Sequence, residues 1–141
     1  QEKQMLEKRI NERTQELSNQ ANELTTYQKE QEQQNWINEG LNEVTEIMRK
    51  NKDNLSKLAD QLLASLVRKV DATLGAMYLH TSIDEEDRLK LLAHFGLKEE
   101  AQLKYLGVKE GLTGQCYSLG KEKYLNELPV QRLILLFIII N

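Results

Sequence analysis

The sequence is poor in the residues that interrupt helices. Its first glycine is Gly40 and its only proline is Pro129, so residues 1–39 contain neither. The same stretch is dense in Glu, Gln, Lys and Arg, which favour a helix and keep their side chains in solvent. The sequence therefore predicts one long exposed helix over residues 1–50.

Cysteine is equally scarce. Cys116 is the single cysteine, so no disulfide can form within the chain and a CxxC metal or redox site is excluded. Residues 1–16 have no apolar segment of the kind that a secretory signal needs. Both features fit a reducing cytoplasm, where we expect the protein to act. The first residue is Gln1, not methionine, which indicates a piece of a longer parent protein; an anchor of that parent in the inner membrane stays open.

The chain also lacks an excess of either charge. It has 22 acidic and 19 basic residues, a formal net charge of −3, and the two signs are well mixed. This balance argues against nucleic acid or an anionic membrane surface as the main partner. Hydrophobic residues make up 40 %, below the usual globular share, and the deficit lies in residues 1–35. Any buried core must therefore come from the second part of the chain.

What the first part does have is a heptad pattern of apolar residues. A first frame weakens at Gln31 and Gln34, and a second frame follows, offset by three residues, which is a stammer that overwinds a coiled coil. A seam this narrow needs a second helix, most simply from a second copy of the chain in parallel. We consider a plain dimerising spacer and a signalling helix with two packings of similar energy. The first frame comprises Leu6, Ile10, Leu17, Leu24 and Tyr27, and the second Ile37, Leu41, Val44, Met48, Leu55, Leu58 and Leu62.

A second helix and a β-hairpin are predicted next. Asn54 is a candidate N-cap for a helix from Leu55 to about Val70. Its apolar stripe is expected to pack on a sheet and comprises Leu55, Leu58, Leu62 and Leu66, widened by Ala59, Leu63 and Val70. Strands are predicted over residues 74–80 and 88–95, with the charged residues 83–87 as the turn. In the second strand Leu89, Leu91, Ala93 and Phe95 are expected on one buried face.

The last third of the sequence contains shorter signals. Tyr105–Lys109 suits a strand, Glu110–Gly120 is typical of a glycine turn that enters a short helix, and residues 124–126 suit a further strand. Residues 133–140 form an unbroken apolar run, too short to span a bilayer. Three interpretations stay open for this run: a central strand, the start of a longer segment that is cut off, or sequence not native to the domain. If exposed, it is prone to aggregation.

No constellation of residues in the sequence predicts catalysis. His80 and His94 lack further metal ligands at suitable spacing, which favours structural or surface roles. Cys116 has no basic neighbour within two residues to lower its thiol pKa, so a small buried residue is the favoured interpretation over a redox or bilin-attachment site. Gly111 and Gly114 favour a tight turn over an anion site. We expect no enzyme activity from this chain and no metal or cofactor.

In their order along the chain, several segments resemble a GAF domain of the kind found after a coiled coil in bacterial sensor histidine kinases. The resemblance covers about residues 5–129 and implies a dimeric sensory or relay module with a small-molecule ligand of unknown identity. The tail departs from the family pattern, so an incomplete sheet is expected. The matching segments are residues 6–17 for the coiled coil, 36–41 and 47–49 for the first domain helix, 55–67 with 74–79 for the long helix and first strand, 89–97 for the second strand, and 111–115 for the glycine-led helix.

Together these observations predict an α+β fold. We expect a coiled-coil signalling helix over residues 1–37, a partial GAF-like domain over 38–129 and an apolar tail over 130–141. The chain is expected to be a sensory or relay fragment of a bacterial two-component sensor kinase. The alternatives are a scaffold that binds nothing, a fragment of a cyclase or phosphatase, or a fragment anchored to a membrane by its apolar tail. The predicted dimer interface comprises Leu6, Ile10, Leu17, Leu24, Leu41, Val44 and Met48.

Overall fold

The structure is a computed structural model, which describes residues 1–120 and the backbone of residues 135–140. It has an α+β fold, as predicted. In chain order its helices and strands are α1 (Glu2–Lys50), α2 (Leu55–Lys69), β1 (Leu74–Ile83), β2 (Glu86–Phe95), β3 (Tyr105–Gly107), α3 (Gly111–Leu119) and β4 (Leu135–Ile140), with a 3₁₀ turn at Glu99–Ala101 before β3. The chain divides into two compact units, Gln1–Leu41 and Asn42–Asn141.

The long N-terminal helix is confirmed. Helix α1 is continuous over 49 residues and has no buried side chain. Its surface carries weak local pairs, such as Lys8 with Glu12 at 4.0 Å and Gln34 Nε2 donating to Asn38 Oδ1 at 3.1 Å. Each such pair contributes only about 0.2–0.5 kcal/mol to an isolated helix. Helix α1 is therefore stabilised by the helix propensity of its residues and by any partner that its apolar stripe contacts.

Helix α2 begins where the sequence predicts. The Asn54 side chain accepts a hydrogen bond from the Lys57 backbone nitrogen at 3.0 Å, so Asn54 is the N-cap. Within the predicted apolar stripe Ala59 and Leu63 are buried and Leu58, Leu62 and Leu66 are half-buried, whereas Leu55 and Val70, at the two ends, are exposed. The side chains of α2 that are fully buried are Ala59, Leu63, Ser65 and Val67.

The predicted hairpin is present, with longer strands and a shorter turn than expected. Ile83 pairs with Glu86 and Ser82 with Asp87, so only Asp84 and Glu85 form the turn. Both turn residues have positive φ, 52° and 65°, as a two-residue type I′ turn requires. The charged run therefore belongs mostly to the strands.

A β-bulge in β2 changes which residues share a face. Met77 pairs with Ala93 but Tyr78 pairs with Leu91, so Leu92 is an extra residue in β2. The prediction of one continuous apolar face was wrong for this reason. Leu89 and Leu91 lie on one face of the sheet, whereas Ala93 lies on the other, and Phe95 is 40 % exposed.

Both faces of the sheet are consequently packed. On one face Met77 and Ala93 contact Leu63 and Val67 of α2 in a buried cluster that also contains Ala59. The second cluster, on the opposite face, consists of Ala76, Tyr78 and Leu89, with the partly buried Leu91, Leu97, Leu106, Val108 and Tyr117 packed against it. Tyr117 comes from α3, so α2 and α3 contribute to opposite faces.

Among the described residues the sheet has the strand order β3-β2-β1-β4. Strands β1, β2 and β3 are antiparallel neighbours, and β4 lies parallel to β1, with Leu74 opposite Leu135 and Leu79 opposite Ile140. The strand interpretation of the apolar tail is thus the one that the backbone shows, although β4 lies at the edge of the described sheet and not in its centre. The predicted strand at residues 124–126 lies outside the described residues.

Candidate functional site

The most extensive candidate surface is the apolar stripe of α1. All four apolar residues of the first heptad frame in the predicted interface, Leu6, Ile10, Leu17 and Leu24, are between 58 % and 64 % exposed. Tyr27, next in the frame, is 59 % exposed. An isolated exposed leucine is ordinary, but a regular series on one helix face is typical of a coiled-coil seam.

Two polar residues interrupt this seam. Arg13 and Gln20 occupy the heptad positions between Ile10, Leu17 and Leu24, and the Arg13 guanidinium lies 3.7 Å from the Glu16 carboxylate. We defined the seam from its apolar members, so these two positions were missed, although the heptad count alone identifies them. Polar residues in a seam lower the stability of a coiled coil and restrict its register.

The second heptad frame does not stay on one helix: Leu55, Leu58 and Leu62 belong to α2, because α1 ends at Lys50, and the remaining members divide between two faces of α1. Leu41 and Met48 are 60 % and 51 % exposed and continue the outward stripe. Val44 is half-buried, as is Ile47, and Asn51 just beyond the helix is fully buried. Residues 44, 47 and 51 lie on one helix face, at i, i+3 and i+7 spacing. The structure therefore brings Leu41 and Met48 to one exposed face and places Val44 on a neighbouring face.

A charged cluster lies near the end of α1. Glu46 accepts hydrogen bonds from Arg49 Nε at 3.0 Å and Nη2 at 2.7 Å, and Lys50 Nζ lies 3.4 Å away. The hydrogen bonds from Arg49 lower the pKa of Glu46 from 4.5 to about 2, with a smaller contribution from Lys50. The same partner raises the pKa of Arg49. The cluster is fully solvated, so it is weak and screened by salt.

The two histidines occupy different environments. His80, in β1, stacks on the Tyr117 ring with centroids 5.1 Å apart and 13° between the planes. Its Nε2 atom is buried and lies 3.2 Å from Asp87 Oδ1, in an orientation that does not form a hydrogen bond. His94, in β2, is exposed. Tyr78 lies in the buried cluster of Ala76 and Leu89 on which Tyr117 packs, and this burial raises the pKa of Tyr78. His80 therefore helps to dock α3 on the hairpin.

The glycine turn before α3 is a close-packing motif. A Cβ on Gly114 would lie 2.8 Å from both Gly107 O and Lys109 C, which are backbone atoms. Gly111 has a φ of +62° and starts the helix. The Glu110 carboxylate accepts a hydrogen bond from the Gly107 backbone nitrogen at 2.9 Å, which places a negative charge beside this turn. The close contacts of Gly114 and the positive φ of Gly111 favour the structural interpretation of the two glycines. Cys116 is a free, partly buried thiol in α3.

One open cleft lies at the end of β1 and β2. It has a volume of about 420 Å³ and is lined by Leu74, Gly96, Leu97, Lys98, Glu100 and Ala101. Its lining is mostly aliphatic, and Lys98 and Glu100 are its charged members. Within the described part of the chain, no group of three or more His, Cys, Asp or Glu side chains is arranged to hold a metal ion. None of the helices described is both long and apolar enough to cross a membrane.

Comparisons with protein-family models, with curated proteins and with solved structures found no match to this chain.

Proposed function

We propose that this chain is a dimerising sensory or relay segment of a bacterial signal-transduction protein, in which α1 forms a parallel coiled coil with a second copy. The observation that carries the proposal is the regular exposed stripe on a 49-residue helix that has no buried side chain. A helix of this kind gains little from its own chain and is stabilised by a partner helix.

The second unit fits the same proposal. A sheet packed on both faces by helices is compatible with the partial GAF-like domain that we expect over residues 38–129. In such an arrangement the GAF-like unit responds to a ligand, or simply to its own contact with a second copy, and the response biases the packing of the coiled coil. We propose a cytoplasmic location for the chain and a sensor histidine kinase as the parent protein.

The experiment on association uses matched pairs of substitutions. Leu17→Asp with Leu24→Asp places two carboxylates in the seam, whereas Ser18→Asp with Asn22→Asp adds the same charge to the same turns outside it. We expect the seam variant to sediment as a monomer and the control to sediment as the wild-type dimer. A dimer that survives in the seam variant would contradict the coiled-coil interface.

Orientation is tested by cross-linking. In a Cys116→Ser background, Ile10→Cys places one thiol in the seam near the N-terminus. In a parallel, in-register dimer the two Cβ atoms lie close enough for a disulfide. We expect efficient cross-linking on oxidation, while Lys8→Cys, outside the seam, serves as the control. An antiparallel dimer would give no more product than that control.

The alternative function is a scaffold whose second unit binds nothing. The cleft beside Leu74 and Gly96 is open to solvent and does not enclose a ligand, which favours the scaffold. A ligand that binds the folded state raises the unfolding temperature by mass action. We would screen nucleotides and haem-type compounds by thermal unfolding of the full chain. A shift that grows with ligand concentration supports a sensor, and the absence of any shift supports the scaffold.

A further inference from the structure

The end of α1 is fastened to α2 by a buried amide. The Asn51 side chain is 6 % exposed, and its Nδ2 donates hydrogen bonds to Ile47 O at 2.9 Å and to Gln61 Oε1 at 2.6 Å. The Asn51 backbone nitrogen also donates to Ile47 O, at 3.2 Å. The amide therefore bonds both to its own helix and to α2. Asn51 thus lies at the end of α1 and holds that end to α2.

A second contact lies further along the same two helices. Arg68 Nη2 of α2 is 3.7 Å from Glu43 Oε1 of α1, an exposed pair that is weak by itself. Residues 43 to 51 and residues 68 to 61 span about 12 Å and 10 Å of helix, respectively, at about 1.5 Å per residue. The order is reversed between the two segments, so these two contacts join the end of α1 and α2 in antiparallel order.

The side chain between the two contacts on α2 is small. Gln61, Ser65 and Arg68 lie on one row of the helix, and Ser65 is only 3 % exposed. On its other side α2 packs on the sheet through Leu63 and Val67. Helix α2 thus lies between the end of α1 and the sheet.

We propose that Asn51 and Gln61 form a clasp that fixes the end of α1 against α2, so that a rotation or shift of α1 is passed through α2 to the sheet. Asn51 stands seven residues after Val44, where an apolar residue would continue the heptad. A buried asparagine forms its hydrogen bonds in one register, which is why such residues fix helix alignment. The relay role of the clasp rests on the proposed function, whereas the clasp itself does not.

The clasp is tested by amide hydrogen exchange in Asn51→Ala, Gln61→Ala and the double variant of the full chain. Removing one partner leaves the other without its hydrogen bond, so amides 47–54 are expected to exchange about tenfold faster in each single variant. The double variant should exchange no faster than the faster single variant, because both remove one interaction. Gln61 is exposed, so its replacement does not threaten folding.

Asn42→Ala, at an exposed asparagine on the same helix, is the control and should exchange like the wild type. If Asn51→Ala behaves like this control, or if the two single effects multiply in the double variant, the clasp is overturned. The outcome of this experiment is the same whether the chain is a monomer or a dimer.

The relay role is tested by adding the seam substitutions Leu17→Asp and Leu24→Asp to the wild type and to Asn51→Ala. Loss of the coiled coil is expected to speed exchange of amides 58–67 about threefold or more in the wild-type background and to have no effect once the clasp is removed. An unchanged exchange rate in a chain that sediments as a dimer before substitution overturns the relay. A wild type that sediments as a monomer overturns the proposed function instead, and the relay with it.

Discussion

Residues 1–41 and residues 42–140 acquire their structure in opposite ways. The first unit is the greater part of helix α1 and has no buried side chain, so helix propensity and the absence of glycine and proline before Gly40 favour its structure without contacts from the rest of the chain. The second unit depends on contacts between residues far apart in the sequence, such as Leu63 with Met77 and Ala93. Sequence patterns therefore describe the first unit well, whereas they describe only the strands and helices of the second, not their packing.

The largest contrast between the units is expected from leucine substitutions. Leu63→Ala removes a side chain that is 1 % exposed and should lower the free energy of unfolding by about 2–5 kcal/mol. Leu17→Ala removes an equal volume from a side chain that is 64 % exposed, so it should weaken association and leave the sheet intact. Amide exchange in β1 and β2, with sedimentation on the same samples, separates the two effects. Equal acceleration of β1 exchange in both variants would contradict the division.

A smaller but specific effect is expected at the packing of α3. The new Cβ in Gly114→Ala pushes the backbone atoms of Gly107 and Lys109 away from residue 114. This change should lower the free energy of unfolding by about 1–3 kcal/mol. Leu119→Ala, at a side chain 68 % exposed on the same helix, should change stability by no more than about 0.5 kcal/mol. Denaturant unfolding of the two variants measures the difference. If they are equally stable, the glycine turn has no packing role.

Replacing the polar seam residue Arg13 is expected to strengthen association. Arg13→Leu would place an apolar residue between Ile10 and Leu17, and the dissociation constant of the dimer should fall about tenfold. Lys8→Leu adds a leucine outside the seam and should leave association unchanged. Sedimentation equilibrium over a range of concentrations measures both. A seam variant that associates no more tightly than the wild type would show that Arg13 lies outside the interface.

The smallest effect concerns the Glu46 cluster and depends on pH. Because its pKa is lowered in the folded chain, the contribution of Glu46 is present above its ordinary value of 4.5 and is lost as the pH falls towards about 2. Wild type should therefore be slightly more stable than Glu46→Gln at pH 7, and the gap should close between these two values and shrink in 1 M salt. Thermal unfolding followed by circular dichroism tests this. A gap that is independent of pH would rule out the carboxylate as its source.

Local signals in the sequence were sufficient for several features. The Asn54 cap, the long α1 and the existence of the hairpin all follow from short-range rules and are confirmed. The faces of β2 were predicted wrongly because Leu92 is an extra residue in the strand. The alternation of faces holds on either side of Leu92, but the inserted residue moves the side chains that follow it to the opposite face. No local pattern indicates such a bulge.

The candidate sites divide in the same way. The heptad positions of Leu6, Ile10, Leu17 and Leu24 were readable because their spacing is regular, and their role in association stays a prediction. The contact of Asn51 with Gln61 was not readable, because it joins two helices across a turn whose geometry the sequence does not reveal.

The most direct test of the proposed coiled coil is the mass of the unmodified chain in solution by sedimentation equilibrium. We predict a dimer of twice the chain mass of 16.4 kDa that dissociates on dilution, together with helical circular dichroism that decreases as it dissociates. A folded chain that has the monomer mass at every concentration, and that keeps its helical signal, would contradict the claim that α1 is stabilised by a second copy.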